Sequence, residues 1–139
     1  MNKISFCNKE DINDLISFID THWKKDHIFV KNKELFNFQH KNDDQYNFVI
    51  SRNQNNKING ILGFIPNYKF DSSLKKSSCV WLAIWKVDES IAEHGLGIVL
   101  LRWLEEKLNP DMIGTVGQNY NVNPLYKAFS WEKPLPAGK

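Results

Sequence analysis

One stretch constrains this chain more than any other. From Cys79 to Leu108 an apolar run, a glycine-bearing turn and an amphipathic run follow one another directly. Both alternating faces of Cys79–Val87 are apolar, with Val80, Leu82 and Ile84 on one and Trp81, Ala83, Trp85 and Val87 on the other. Such a strand is covered on both sides, so it belongs in the middle of a sheet, and Trp81 and Trp85 read as core. Beyond the turn, Ile98, Leu101, Leu104 and Leu108 recur at helical spacing. A strand, turn and helix in this order leave the first helical amides without internal partners, and the helix dipole adds partial positive charge there. An anion, most often a phosphate, suits such a corner.

The chain has 139 residues, 42% of them hydrophobic and 13% aromatic, enough for one domain with a real core. We expect that domain to span residues 1–131, with an irregular tail over 132–139, where Pro134, Pro136 and Gly138 disfavour a strand. A formal charge of +2 with dispersed lysines is too mild for a nucleic-acid footprint, so no nucleic acid is expected as partner. No apolar run approaches the roughly 20 residues of a membrane span, and the Met-Asn-Lys start lacks a signal-peptide core. The expectation is therefore a cytoplasmic protein without membrane contact. Cys7 and Cys79 fall in predicted strands and read as buried free thiols, and no metal site is expected.

In chain order, a short strand covers Lys3 to Cys7, and Asn8 is the expected cap of a helix running to about Trp23. Ile12, Leu15, Ile16, Ile19 and Trp23 form its apolar stripe, with Trp23 expected to anchor the following loop. Thr21 to Val30 loses helical periodicity and gathers His22, Trp23, Asp26 and His27. A second helix, Lys33 to Gln39, follows its cap Asn32. Tyr46 to Arg52 and Ile58 to Ile65 read as a hairpin, Pro66 to Ser78 as a loop over the sheet, and Met112 to Gly117 as the strand after the long helix. Asn123 and Pro124 open a last helix through Leu125, Tyr126 and Phe129.

This order, with Ala92-Glu93-His94-Gly95-Leu96-Gly97 and the later Asn119, Leu125, Tyr126, Ser130 and Trp131, resembles the GNAT superfamily of acyl-CoA-dependent N-acyltransferases. The resemblance covers nearly the whole chain. It implies an α/β (α+β) fold: a mixed, mostly antiparallel sheet flanked by helices on both faces, splayed between the fourth and fifth strands. In that family the turn after the fourth strand follows Arg/Gln-x-x-Gly-x-Gly/Ala, and its backbone amides hold the CoA diphosphate. Gly95 and Gly97 keep both glycines, whereas Ala92 stands at the Arg/Gln position and Glu93 at a usual glycine. His94 lies inside the same turn.

The resemblance implies transfer of an acetyl or other short acyl group from acyl-CoA to a primary amine, with acetyl-CoA as cosubstrate. Acyl transfer of this kind needs a neutral amine, stabilisation of an oxyanion and a proton for the departing thiolate. Tyr126 is the candidate proton donor. The stretch Ile84, Trp85, Lys86 and Val87 would offer a backbone amide to the carbonyl, and Asn119 would touch CoA or its pantetheine arm. Many relatives place a carboxylate base on the fourth strand, but Val80–Val87 has none, leaving His22 and His27 as candidates. Trp23 and Asp26 would border a small-molecule acceptor, with an amino sugar as one class. A catalytically inactive module that binds acyl-CoA or a partner stays open as the alternative. The family usually adds further strands after the Leu-Tyr helix; without them, the sheet edge would be open to a homodimer or to completion by another chain.

Overall fold

The computed structural model describes residues 2–67 and 79–115. Among these residues six strands form one sheet, and the order of the long ones follows from how the chain turns: β1 (Lys3–Asn8), β3 (Gln45–Arg52), β4 (Ile58–Pro66), β5 (Cys79–Val87) and β6 (Met112–Thr115) lie side by side. The two-residue β2 (Lys41–Asn42) pairs with the start of β3. Every neighbour is antiparallel except β5 and β6, which are parallel. The apolar run expected in the middle of the sheet is β5, with β4 on one side and β6 on the other.

Helices cover both faces. One face packs α1 (Ile12–Phe18), a single π-helical turn (Ile19–Trp23), α2 (Ile28–Lys31) and α3 (Lys33–His40) around Leu15, Ile19, Phe29, Phe36, Phe48 and Ile61. The other packs α4 (Leu96–Leu108) through Leu96, Leu100, Leu101 and Leu104 onto Val49, Leu62, Phe64, Val80 and Leu82. Arg52 ties β3 to α1, reaching Asp11 at 2.8 Å and Asp14 at 3.0 Å. Cys7 and Cys79 are buried and not joined by a disulfide, and burial pushes Cys7 up to about 12.

Three local readings change. Asn8 does not cap α1: its side chain accepts the Glu10 amide at 3.0 Å, closing a turn, and the helix begins only at Ile12. The segment read as a loop contains α2, whose N-cap is His27. Trp23 ends the π-helical turn 37% exposed and does not anchor the core.

The fourth concerns β5 itself. Leu62 pairs with Trp85 and Phe64 with Leu82, so Ala83 and Ile84 together face Gly63, a bulge of one extra residue. Alternation therefore inverts along the strand. Val80 and Leu82 face α4 ahead of the bulge; beyond it Trp85 and Val87 face α4 while Ile84 joins the opposite core. Trp81 and Trp85 thus lie on opposite faces, and Trp81 is 40% exposed with its ring against Gly114 of β6.

Candidate active site

The site is built on the unit β5, turn and α4. In the described residues β6 pairs with β5 from Cys79↔Met112 to Leu82↔Thr115, and the bulge in β5 begins at the next residue. A bulge also releases backbone groups from the ladder with β4. At Ala83 and Ile84 the regular pairing of the central strand with β4 is therefore interrupted.

Immediately past the β5 terminus the chain winds into a tight turn. The Asp88 carbonyl accepts the amides of Ile91 at 3.2 Å and Ala92 at 2.9 Å, and Leu96 donates to Glu93 at 3.2 Å. Gly95, at φ 86° and ψ 4°, caps α4 in the left-handed region, which a residue with a side chain adopts only under strain. Among the described residues the amides of Glu93, His94, Gly95 and Gly97 donate no backbone hydrogen bond, and they stand at the positive end of a thirteen-residue helix. Ala92 and Leu96 have their amides engaged, and Leu96 is buried; Glu93 and His94 are exposed. Gly97 serves another need. A Cβ there would stand 3.3 Å from the Trp85 indole nitrogen, which donates to the Gly97 carbonyl at 3.2 Å.

The histidines separate clearly. His27 Nδ1 accepts the Phe29 amide at 3.1 Å as the cap of α2, and burial, aided by Lys24, lowers its pKa below the ordinary 6.5. His22 sits on the π-helical turn, which packs against β5, with its ring 4.5 Å from Phe18. Its Nε2 lies 3.4 Å from Oδ2 of Asp88, a residue that sequence reasoning passed over. The Ser90 hydroxyl bonded to the Asp88 carboxylate, with the Ser90 amide and the charges of His22 and Lys57 adding to it, holds that carboxyl below its ordinary value. Both residues line a cleft of about 300 Å³ with Phe18, Thr21, Lys57 and Ile91. The Asp-x-Ser pattern could have announced a locked carboxylate, but nothing local points from Asp88 to His22.

Asp26 takes a left-handed φ of 58° and donates its amide to Asp20 at 2.8 Å, leaving its carboxylate exposed beside Trp23 and His27 in sequence. Lys86 and Val87 continue the ladder against Ile61 and Gly60. Tyr126 and Asn119 lie outside the described residues, as do the last helix, the tail and most of the connection before β5. Among the described residues no group of three or more His, Cys, Asp or Glu could hold a metal ion, and no helix is long and apolar enough to cross a membrane.

The same architecture recurs in solved acetyltransferase structures. A candidate acetyltransferase from Pyrococcus horikoshii superposes with a TM-score of 0.65 at 15% identity, over 92% of this chain and 42% of its own. The aminoglycoside 6'-N-acetyltransferase AAC(6')-Ih of Acinetobacter baumannii superposes at 0.66 and 11% identity, over 96% of this chain and 92% of its own. The GNAT family N-acetyltransferase YhbS of Escherichia coli, solved with CoA, gives 0.66 and 16% over 94% and 68%. The chain has the GNAT fold. At such identities the likeness is one of fold, and this chain spans less than half the length of the Pyrococcus protein. No family model matches the sequence, and no curated protein matches it. In GNAT terms β5 is the fourth long strand, as the sequence implied; the two-residue β2 accounts for the offset in number.

Proposed function

We propose that this chain is an acyl-CoA-dependent N-acetyltransferase that modifies a primary amine of a small molecule, with an amino sugar as the acceptor class. One observation carries the reading: a single strand–turn–helix unit holds both the bulge at Ala83–Ile84 and the left-handed Gly95 turn with its unengaged amides. The amides of Glu93, His94, Gly95 and Gly97, with the positive end of α4, suit the CoA diphosphate. Backbone freed around Ile84 suits a thioester carbonyl as it gains negative charge. Ala92 offers only backbone where relatives carry a long polar side chain, so diphosphate binding here rests on the main chain.

The reaction joins the amine nitrogen to the carbonyl carbon and breaks the carbon–sulfur bond. The nitrogen gives up a proton to a base, and the thiolate takes one from an acid. Tyr126 is assigned as that acid and Asn119 as a CoA or pantetheine contact. Of the two histidines, His22 is favoured as base: His27 Nδ1 already receives a backbone amide, whereas His22 Nδ1 has no hydrogen bond among the described residues. Trp23 offers a partly exposed aromatic face for a sugar ring, and Asp26 a carboxylate for an ammonium group. The A. baumannii neighbour is named for acetylating an aminoglycoside, which supports the amino-sugar class. A homodimer is the expected assembly, readable by sedimentation.

The test is thiol release from acetyl-CoA in the presence of aminoglycosides, nucleotide-linked amino sugars, amino acids and polyamines. Release with an amino sugar is expected. Binding of acetyl-CoA without release for any amine would favour a non-catalytic acyl-CoA-binding module instead.

A further inference from the structure

Every polar atom of Asp88 but one is fixed by its own neighbourhood. Its amide donates to Asn59 at 2.9 Å, its carbonyl accepts from Ile91 and Ala92, and Oδ1 accepts from the Ser90 hydroxyl at 2.6 Å and the Ser90 amide at 3.1 Å. That leaves Oδ2, 3.4 Å from His22 Nε2. We infer that Asp88, oriented by Ser90, is a positioning residue for His22: Oδ2 keeps the proton of the neutral imidazole on Nε2 and leaves the Nδ1 lone pair as the base.

The electrostatics around the ring agree. The charged groups lining the cleft are Asp14 from α1, Arg52 from β3, Lys57 from the turn before β4 and Asp88 itself, with Asp20 on the same π-helical turn as His22. Arg52 is engaged by Asp11 and Asp14, so Asp88 is the anion in contact with the imidazole. Lys57 favours the ionised form of Asp88. A carboxylate so placed accepts the Nε2 proton as a hydrogen bond without taking it, and it stabilises the imidazolium that forms once Nδ1 is protonated. The protons balance: one leaves the acceptor's ammonium group for Nδ1 and passes to solvent, the amine lone pair forms the new bond to carbon as the carbon–sulfur bond breaks, and the second proton, lost from nitrogen after attack, replaces the one the thiolate takes from Tyr126. The role of His22 as base rests on the acetyltransferase reading; its pairing with Asp88 does not.

The experiment has two readouts. Long-range ¹H–¹⁵N correlation at pH 8 on the labelled full chain gives the His22 tautomer, expected as Nε2–H. In Asp88→Asn the amide oxygen keeps Ser90 and the NH₂ turns to Nε2, so His22 is expected to switch to Nδ1–H. In the same variant kcat/KM for the amine is expected to fall about tenfold or more, within the roughly 10²–10⁴ that a general base contributes, with acetyl-CoA affinity unchanged. Should Asp88→Asn fail to fold, Ser90→Ala takes its place, with a mixed tautomer population expected. An Nδ1–H tautomer in the wild type, or a tautomer indifferent to both substitutions, overturns the pairing. A tautomer switch in a chain that releases no thiol with any amine overturns the acetyltransferase reading and the base role together, leaving the pairing intact.

Discussion

The Trp85 indole nitrogen donates to the Gly97 carbonyl at 3.2 Å, joining the last third of the central strand to the first turn of α4. Because the bulge at Ala83–Ile84 rotates Trp85 onto the α4 face, the strand and the Gly95 turn hold one fixed relation. A Cβ on Gly97 would press directly on that indole. Gly97→Val is expected to force the helix away from β5, costing about 1–3 kcal/mol of stability as overpacked sites do, and to weaken acetyl-CoA binding more than tenfold. Denaturant unfolding and calorimetric titration measure the two effects.

Gly95 presents the opposite case. Nothing lies within 4 Å of a Cβ built there, so only its φ of 86° opposes a side chain. Gly95→Ala is expected to destabilise the fold by about 1–2 kcal/mol, and Gly95→Asn by less, since asparagine tolerates this region. A thermal shift that is equal for both variants would show that the left-handed conformation is not what glycine supplies.

Two titrations set the response to acid. His27 has its pKa lowered by burial and by Lys24, so its contribution is complete above the unfolded value near 6.5 and declines as pH falls through the lower folded value. Protonating Nδ1 removes the acceptor for the Phe29 amide. Hydrogen exchange at Phe29 is expected to accelerate, beyond the intrinsic trend, as pH drops below about 6.5. Asp88 follows the same sign at lower pH: its support is complete above the ordinary value of 3.8 and lost as pH falls below that, and Ser90→Ala should move the loss upward.

Catalysis gives a sharper expectation. Tyr126→Phe removes the hydroxyl proposed as proton donor while keeping the ring, so kcat should fall by roughly 10²–10⁴ with little change in the KM for acetyl-CoA. Steady-state kinetics with an amine found to support turnover decide it. Undiminished turnover would remove Tyr126 from the role.

Much of the frame was legible because long, strongly patterned segments declare themselves. The apolar run over Cys79–Val87 could only be a central strand, and the glycines at 95 and 97 marked where the helix begins. The bulge was hidden by the same richness: when both faces of a strand are apolar, one inserted residue leaves no gap in the pattern, so Trp81 and Trp85 looked like companions on one face. α2 escaped because four residues make barely one turn, and its cap is a histidine where Ser, Thr, Asp or Asn would have signalled it. The pairing of His22 with Asp88 was out of reach for a different reason. It depends on the π-helical turn presenting His22 toward the end of β5, and the extra residue in such a turn shifts side-chain direction without any mark in composition.

The measurement closest to the central claim is a titration of the ¹⁵N-labelled chain with acetyl-CoA, following individual backbone amides. Saturable downfield shifts and slowed exchange are expected at Glu93, His94, Gly95 and Gly97, with a second set of shifts at Ala83 to Trp85. Binding that leaves the Gly95 turn unperturbed, or no saturable binding, would contradict that claim.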